Sequence, residues 1–237
     1  MRQISSAAQD FRRVSSEWLH ADMECYLQRC QVDTPDGLVL KLWQEIGKRR
    51  KNVGSVVDFG AGDGRFARHG EYRRYRGYEI DASRLAGTKL PKNAELVHAC
   101  AFGSAIEKAD VSIGNPPFVR NQDLPDGWRA KVSDHLFAVS GVRLSGLANA
   151  WQYFFLQSLL CTKEDGLCAL IVPFEWVSRP SVSALRHFIR TKGWEVDVIR
   201  LADSTFGGVL TTASITLIDK RSTSGCPSSK HLAQLAA

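Results

Sequence analysis

A short segment, Asn115-Pro116-Pro117-Phe118, follows the apolar stretch 109–114 and carries groups that can bind a planar amine. Two consecutive prolines stiffen a loop and remove two amide donors, which leaves carbonyl oxygens free to accept hydrogen bonds. The Asn115 side-chain oxygen and the Pro116 carbonyl could then hold an NH2 group together, while Phe118 offers a face for a flat ring. The alternative is a rigid turn without a ligand, but open α/β sheets place their sites at the carboxyl ends of strands.

A glycine-rich loop lies earlier, where residues 56–65 read Val-Val-Asp-Phe-Gly-Ala-Gly-Asp-Gly-Arg. Glycines permit positive φ angles and let a ligand approach the backbone closely, although a plain strand-to-helix turn has the same composition. The spacing of Gly60, Gly62 and Gly64 differs from the Gly-x-Gly-x-x-Gly pattern of dinucleotide-binding proteins. Asp58 would repel a pyrophosphate but could attract a cation. The loop therefore favours a cationic nucleoside ligand.

An acid, Glu79, lies about 20 residues after Asp58, at the end of the next apolar segment. A carboxylate at this position of a nucleoside-binding α/β fold can accept both ribose hydroxyls. The alternative is a surface acid that ends an edge segment. Together, the glycine loop and this acid indicate a ligand that contains adenosine.

The elements that must position these residues alternate between strand-like and helix-like segments. The predicted strands cover residues 53–59, 76–80, 95–99, 109–114, 166–172, 196–202 and 211–218. Apolar residues at spacings of three and four predict helices over 149–162 and 181–192. This alternation predicts an α/β fold with a doubly wound, mostly parallel seven-stranded sheet. The short link 203–210 predicts that the last strand returns antiparallel near the sheet's edge.

Length and composition fit one compact domain. The chain has 237 residues, a hydrophobic fraction of 44% and a formal net charge of +6, which excludes a largely disordered or collagen-like chain. The longest apolar run, 167–174, is eight residues long, whereas a membrane-spanning helix needs about 20. The first 20 residues contain several charges and no signal peptide core. We therefore expect a cytoplasmic protein without a membrane partner.

The cysteines and the basic residues support fewer conclusions about function than the motifs do. The six cysteines show no Cys-x-x-Cys pair and no accompanying His cluster, so we expect reduced thiols and neither a metal site nor a disulfide framework. Basic clusters occur at 48–51 and 73–76. They indicate either a polyanionic partner such as nucleic acid or an ordinary solvated surface.

Three segments depart from the α/β alternation. Residues 119–148 are polar, contain three glycines and several basic side chains, and predict an irregular insertion of the kind that is often functional. Residues 221–237 are poor in apolar side chains near their start and predict a flexible tail. We assign residues 1–31 to an N-terminal helical extension and 32–220 to the main domain.

In combination, these motifs resemble those of the class I S-adenosylmethionine-dependent methyltransferases, a family with a Rossmann-like fold. The chain specifically resembles the adenine-N6 DNA methyltransferases of restriction-modification systems in the gamma arrangement, in which the cofactor motifs precede the catalytic one. The resemblance covers residues 32–220. It includes Thr34-Pro35 as the family's first motif and the segments 150–155 and 167–173 after the catalytic loop.

The resemblance implies S-adenosyl-L-methionine as the cofactor and DNA as the partner. It implies methyl transfer to the exocyclic nitrogen of a flipped-out adenine, without a metal or a covalent intermediate. The implied cofactor-binding residues are Thr34, Pro35, Asp58, Phe59, Gly60, Ala61, Gly62, Gly64, Glu79, Ile80, Cys100, Ala101, Phe102 and Asn115. The implied catalytic residues are Asn115, Pro116, Pro117 and Phe118. Asn115 and the Pro116 carbonyl would accept the amine protons while Phe118 stacks on the base.

The chain departs from the family in two respects. Cys100 stands where the family usually has an acid that contacts the cofactor adenine, so we expect weaker cofactor binding, because a thiol is a poor acceptor. Family members commonly continue into a target-recognition domain, whereas this chain ends soon after its last predicted strand. Recognition could then come from the insertion 119–148, a separate subunit or a missing C-terminal domain, or specificity could be low.

Two alternative functions remain open at this point. The same tetrapeptide serves methylation of RNA bases and of glutamine amides in proteins, since all of these present a planar nitrogen. A non-catalytic S-adenosylmethionine-binding subunit is the other alternative, and Cys100 together with the lack of a recognition domain motivates it.

Overall fold

The computed structural model describes residues 32–103, 107–202 and 212–221. The predicted extension over 1–31, the predicted link at 203–210 and all of the predicted tail except Arg221 lie outside these residues.

Seven strands form one sheet in the order β3-β2-β1-β4-β5-β7-β6. The strands are β1 (Ser55–Phe59), β2 (Arg74–Glu79), β3 (Ala94–His98), β4 (Ala109–Gly114), β5 (Thr162–Pro173), β6 (Glu195–Arg200) and β7 (Ala213–Asp219). Strand β7 runs antiparallel to both β5 and β6, and the other neighbouring pairs are parallel. The predicted mostly parallel sheet is therefore confirmed, and its reversed strand lies second from the edge.

Helices cover both faces of the sheet, as the doubly wound prediction requires. They are α1 (Asp36–Arg49), α2 (Arg65–His69), α3 (Ala82–Leu85), α4 (Asp126–Ser140), α5 (Ala150–Leu160) and α6 (Ser183–Thr191). One apolar core contains side chains of α1 and α2, and the other contains side chains of α4, α5 and α6. Successive residues of β1 alternate between the two cores, with Val56 in the first and Val57 in the second.

The expectation of irregular structure across 119–148 is wrong for its central part, which forms α4. Trp128, Val132 and Leu136 are spaced four residues apart, so they lie on one face of the helix. Val132 and Leu136 are fully buried and Trp128 packs against the same core. The apolar stripe is narrow and lies among polar residues, and for that reason composition alone concealed it.

The carboxyl ends of β1, β2, β3 and β4 lie at one edge of the sheet, because these strands are mutually parallel. Every motif with candidate chemistry except Thr34-Pro35, which precedes α1, follows one of these ends. The two basic clusters lie at or near the amino ends instead, where their arginines pair with acids. Their ion pairs join Arg49 to Asp197, Arg50 to Asp219, Arg74 to Glu107 and Arg76 to Glu95. These arginines connect parts of the fold on the side opposite the candidate site.

The described ranges show whether the protein has membrane-spanning helices, free thiols or clustered metal ligands there. None of the helices found there has the length and apolar character that crossing a bilayer requires. The cysteines that lie in these ranges, Cys100, Cys161 and Cys168, are buried free thiols. The same ranges hold no group of three or more His, Cys, Asp or Glu side chains arranged to bind a metal ion.

Candidate active site

The glycine loop between β1 and α2 adopts the backbone that its sequence predicts. Gly60, Gly62 and Gly64 have φ angles of 76°, 57° and 70°, a region that residues with a Cβ rarely adopt. The Gly60 N–H donates to the Tyr78 carbonyl at 2.8 Å, and the Ala61 N–H donates to the same oxygen at 3.1 Å. The loop is therefore held against the end of β2.

Glu79 at the end of β2 holds the loop from the other side. Its side chain is buried, with one carboxylate oxygen accepting the Gly62 N–H at 2.8 Å and the other accepting the Asp81 N–H at 2.9 Å. A carboxylate oxygen can accept more than one hydrogen bond, so both oxygens keep capacity for the hydroxyls of a ribose. Ile80, the next residue, is half-buried and packs on the adjacent core.

Asp58 is completely buried beneath the loop. The Tyr75 hydroxyl donates to its Oδ2, and its Oδ1 has no hydrogen-bond partner among the residues that the structure describes. Burial raises the pKa of Asp58 to about 7, the Tyr75 hydrogen bond opposes this rise, and the negative charge of Glu79 adds to it. A buried carboxyl that changes charge near neutral pH is typical of functional sites.

The tetrapeptide follows β4 and lies beside the glycine loop. Asn115 donates from Nδ2 to the Thr34 hydroxyl at 3.1 Å, whereas its Oδ1 is buried and has no partner within the described part of the chain. Pro116 is buried, and Pro117 and Phe118 are partly exposed. The amide is thus oriented with its acceptor available, which is the arrangement that binding of an NH2 group needs.

The segment before α1 joins the first motif to the other two. Thr34 is buried, and its carbonyl accepts a hydrogen bond of 2.6 Å from Arg65 at the start of α2. The Pro35 carbonyl accepts the Leu38 N–H at 2.9 Å and so begins α1. The structure therefore brings Thr34, Asn115 and the glycine loop together, although the first two are 81 residues apart in the chain.

The segment after β3 is more deeply covered than the other predicted motifs. Burial raises the pKa of the Cys100 thiol to about 11, although the backbone N–H groups of Phe102 and Gly103 interact with it, so this side chain is neutral. The Ala101 carbonyl accepts a hydrogen bond of 3.0 Å from Gln157. Phe102 is buried edge-on against Trp128 and Phe154, and Phe59, which is also buried, stacks on Tyr78. Both phenylalanines that are predicted to bind the cofactor, Phe59 and Phe102, therefore have their rings in the core.

Sequence reasoning missed three residues that support the site. Tyr75 donates a hydrogen bond to Asp58. Asn149 and Arg129 bind Asn121, in the segment that follows the tetrapeptide. The Asn149 side chain accepts the Asn121 N–H at 2.9 Å, and Arg129 donates to the Asn121 side-chain oxygen at 2.7 Å. Asn149 is the first residue of the helix predicted over 149–162, and an asparagine at the start of a helix was the signal available for it. No comparable signal marked Tyr75.

Comparison with known proteins identifies the family. Residues 71–203 match the model of the Eco57I restriction-modification methylase family. The type II methyltransferase M.XamI of Xanthomonas campestris pv. amaranthicola is 36% identical over 105 residues, which are 44% of this chain and 20% of that protein. The chain therefore spans about a fifth of the length of this curated relative.

Solved structures with the same fold include a type I restriction-modification methyltransferase subunit from Streptococcus thermophilus. It has a TM-score of 0.62 at 20% identity, over 81% of this chain and 45% of that one. A Listeria monocytogenes protein described as a class I S-adenosylmethionine-dependent methyltransferase has a TM-score of 0.62 at 17% identity, over 97% of this chain and 73% of that one. At these identities the likeness shows the Rossmann-like methyltransferase fold alone. The family match, which covers more than half of the 237 residues, shows that the chain belongs to the Eco57I restriction-modification methylase family.

Proposed function

We propose that the protein transfers a methyl group from S-adenosyl-L-methionine to the exocyclic N6 amino group of adenine in DNA. The observation that carries this proposal is the buried Oδ1 of Asn115, which lacks a partner among the described residues while Thr34 fixes the other end of the amide. A buried acceptor without a partner costs free energy. Its retention beside a nucleoside-type loop supports a ligand that donates N–H groups.

The residues of the loop fit the cofactor. Glu79 can accept the ribose hydroxyls, and the positive-φ glycines let the ligand approach the backbone. Asp58 supplies a negative charge beside the place where the methionine end would lie, which suits a ligand with cationic groups. The cofactor supplies an activated methyl group as a sulfonium, and the work of the protein is to position the acceptor nitrogen.

The acceptor nitrogen of adenine is a poor nucleophile, because its lone pair is delocalised into the ring. Asn115 Oδ1 and the Pro116 carbonyl accept its two N–H groups, which favours a pyramidal nitrogen whose lone pair points toward the methyl group. Phe118 is partly exposed at the end of the tetrapeptide and stacks on the base. Adenine within a duplex reaches such a pocket only after it leaves the base stack.

DNA is the proposed partner, bound at the edge where the tetrapeptide lies. Arg120, directly after the tetrapeptide region, has 67% of its side chain exposed, and Arg179 after β5 has 46% exposed. Each pairs with an acid of its own segment, Asp123 for Arg120 and Glu175 for Arg179, and each stays exposed enough near this edge to contact a phosphate. One protein with the same fold, DrdV, has been solved in complex with DNA, with a TM-score of 0.58 at 12% identity. A separate target-recognition subunit or a further domain would add sequence specificity.

The test measures transfer of a labelled methyl group from S-adenosylmethionine to unmethylated duplex DNA, RNA and cell protein in parallel. We expect label in DNA, recovered as N6-methyladenine. Asn115→Ala should lower the rate by a factor of about 100 or more, while Asn52→Ala, an exposed asparagine outside the site, should leave it unchanged. Label in RNA or protein instead would refute the proposed substrate. A wild-type rate for Asn115→Ala would refute the mechanism, and cofactor binding without any label would favour a binding subunit.

A further inference from the structure

The side chain of Tyr75 crosses from β2 to β1 in the sheet. Tyr75 pairs with Val56 in the parallel register, and Asp58 pairs with Gly77, so the tyrosine reaches its acid diagonally along the strands. Tyr75 and Asp58 are both completely buried. Gly77 provides space for this path, because a Cβ there would lie 3.3 Å from the Tyr75 ring and 2.6 Å from the Ala61 Cβ.

A column of aromatic rings fixes the position of the Tyr75 hydroxyl. The Tyr75 ring lies 5.4 Å from the Tyr72 ring, which lies 5.9 Å from the Trp43 ring. Trp43 donates from its indole nitrogen to the Phe66 carbonyl at 2.8 Å, and Tyr72 donates to the Ala67 carbonyl. The column therefore joins α1, α2 and β2, and it ends at Asp58.

The free oxygen of Asp58 faces the start of the tetrapeptide. A Cβ on Gly114 would lie 2.7 Å from Asp58 Oδ1, so glycine at this position leaves that oxygen uncovered on the β4 side. Gly114 directly precedes Asn115, whose Oδ1 is the other buried acceptor without a partner in the described ranges. Two such acceptors on adjacent strand ends point to a ligand that donates to both sides of this edge.

We propose that Tyr75 is a positioning residue of the cofactor site, where its hydroxyl holds one oxygen of Asp58 so that the other accepts the ammonium group of the cofactor's methionine end. This inference rests on the proposed function. With the ribose at Glu79 and the acceptor amine at Asn115, the methionine end lies over the end of β1, where Asp58 stands. An ammonium has three N–H donors, whereas a sulfonium has none, so the ammonium is the group that suits an oxygen acceptor.

The charge of Asp58 depends on the same hydroxyl. Burial raises the pKa of Asp58 to about 7, and the Tyr75 hydrogen bond limits that rise. The titratable groups of β2 that act on Asp58 are Tyr75 and Glu79, and on the β4 side the carboxyl meets Gly114, which has no side chain. Loss of the hydroxyl should raise the pKa of Asp58 by about 1 or more, since a hydrogen bond to an ionised group is stronger than one to a neutral group.

The experiment is calorimetric titration with S-adenosylhomocysteine, which carries the ammonium, and with methylthioadenosine, which lacks the whole amino acid end. The proteins are the wild type, Tyr75→Phe and Asp58→Asn. Tyr72→Phe is the matched control, because it removes a hydroxyl of the same ring column that bonds a backbone carbonyl. Each titration is run at pH 7.0 and pH 8.5.

Tyr75→Phe should weaken S-adenosylhomocysteine binding about fivefold at pH 7.0, where the ionised fraction of Asp58 falls from about a half to about a tenth. At pH 8.5 the loss should shrink to about twofold or less. Methylthioadenosine binding and Tyr72→Phe should show no such change. Asp58→Asn should weaken S-adenosylhomocysteine at both pH values, which keeps the test available if Tyr75→Phe does not fold.

Equal weakening of both ligands at both pH values would mean a purely structural role for Tyr75 and would overturn the inference. Wild-type affinity for Tyr75→Phe at pH 7.0 would overturn it as well. If the wild-type protein bound neither ligand, the cofactor assignment under the proposed function would fail and this inference with it.

Discussion

Replacing Asp58 by Asn is expected to stabilise the ligand-free protein while it weakens ligand binding. Asp58 is completely buried, and within the described residues its hydrogen-bond partner is the neutral hydroxyl of Tyr75. An Asn side chain has the same shape and can still accept from that hydroxyl. Either side chain leaves one polar atom without a partner at Gly114, so this cost is similar in both proteins. The difference that remains is the charge.

The size of the effect follows from the pKa of Asp58, which burial raises from 3.8 to about 7. Between these values the folded protein keeps a proton that the unfolded chain releases, so the carboxyl lowers stability progressively as pH rises from about 4 to about 7. The penalty is about 2 kcal/mol at pH 5 and about 4 kcal/mol at pH 8. Asp58→Asn should therefore gain more stability at pH 8 than at pH 5.

Urea unfolding at the two pH values measures this difference, with the wild type and Asp63→Asn as references. Asp63 is the opposite case, because its hydrogen bonds with Arg65 and Arg68 lower its pKa to about 2. Its replacement should reduce stability at both pH values. An Asp58→Asn protein that is less stable than the wild type at pH 8, or that gains equally at pH 5 and pH 8, would refute the argument from buried charge.

Three further substitutions test the packing, the loop and the ion pairs. Leu136→Ala should lower the free energy of unfolding by about 2 to 4 kcal/mol in urea titrations, because it leaves a cavity under α4. Gly64→Ala should weaken S-adenosylhomocysteine binding at least tenfold in calorimetry, because the residue has a φ of 70° and its Cβ would lie 2.7 Å from Leu90. Arg50→Ala should cost about 2 kcal/mol at pH 7 by urea unfolding, because it removes hydrogen bonds to the charged Asp219, which keeps Arg221 as a partner. Arg50 helps hold the pKa of Asp219 well below its usual range, so this cost should persist down to about pH 4 and decline only in stronger acid.

Strand β4 could be predicted from the sequence, because its apolar run ends where a motif of candidate catalytic residues begins. Strand β4 covers Ala109–Gly114, as predicted, and the tetrapeptide begins at the next residue. The glycine loop was predictable for a similar reason, since three closely spaced glycines after an apolar strand indicate a turn with positive φ angles. In both cases the signal is local, because it lies within one strand and the turn that follows it.

The contacts that complete the site are not local, and this is why sequence reasoning missed them. Tyr75 reaches Asp58 only in the particular register of β1 and β2, and a shift of one residue would turn its ring to the other face. The contact between Asn115 and Thr34 depends on how the segment before α1 folds back over β4. Helix α4 was missed because its buried stripe is one residue wide per turn.

The two ends of the sheet differ in their buried acceptors, and this difference supports the proposed site without reference to any relative. At the amino ends, arginines of both basic clusters pair with acids from other elements. At the carboxyl ends, Asp58 Oδ1 and Asn115 Oδ1 are buried without partners among the described residues. Unsatisfied buried acceptors reduce stability, so a fold that pairs its charges elsewhere gains nothing from these two unless a ligand donates to them. Under the proposed function two different molecules satisfy these acceptors, because the ammonium of the cofactor donates to Asp58 and the amine of the target adenine donates to Asn115.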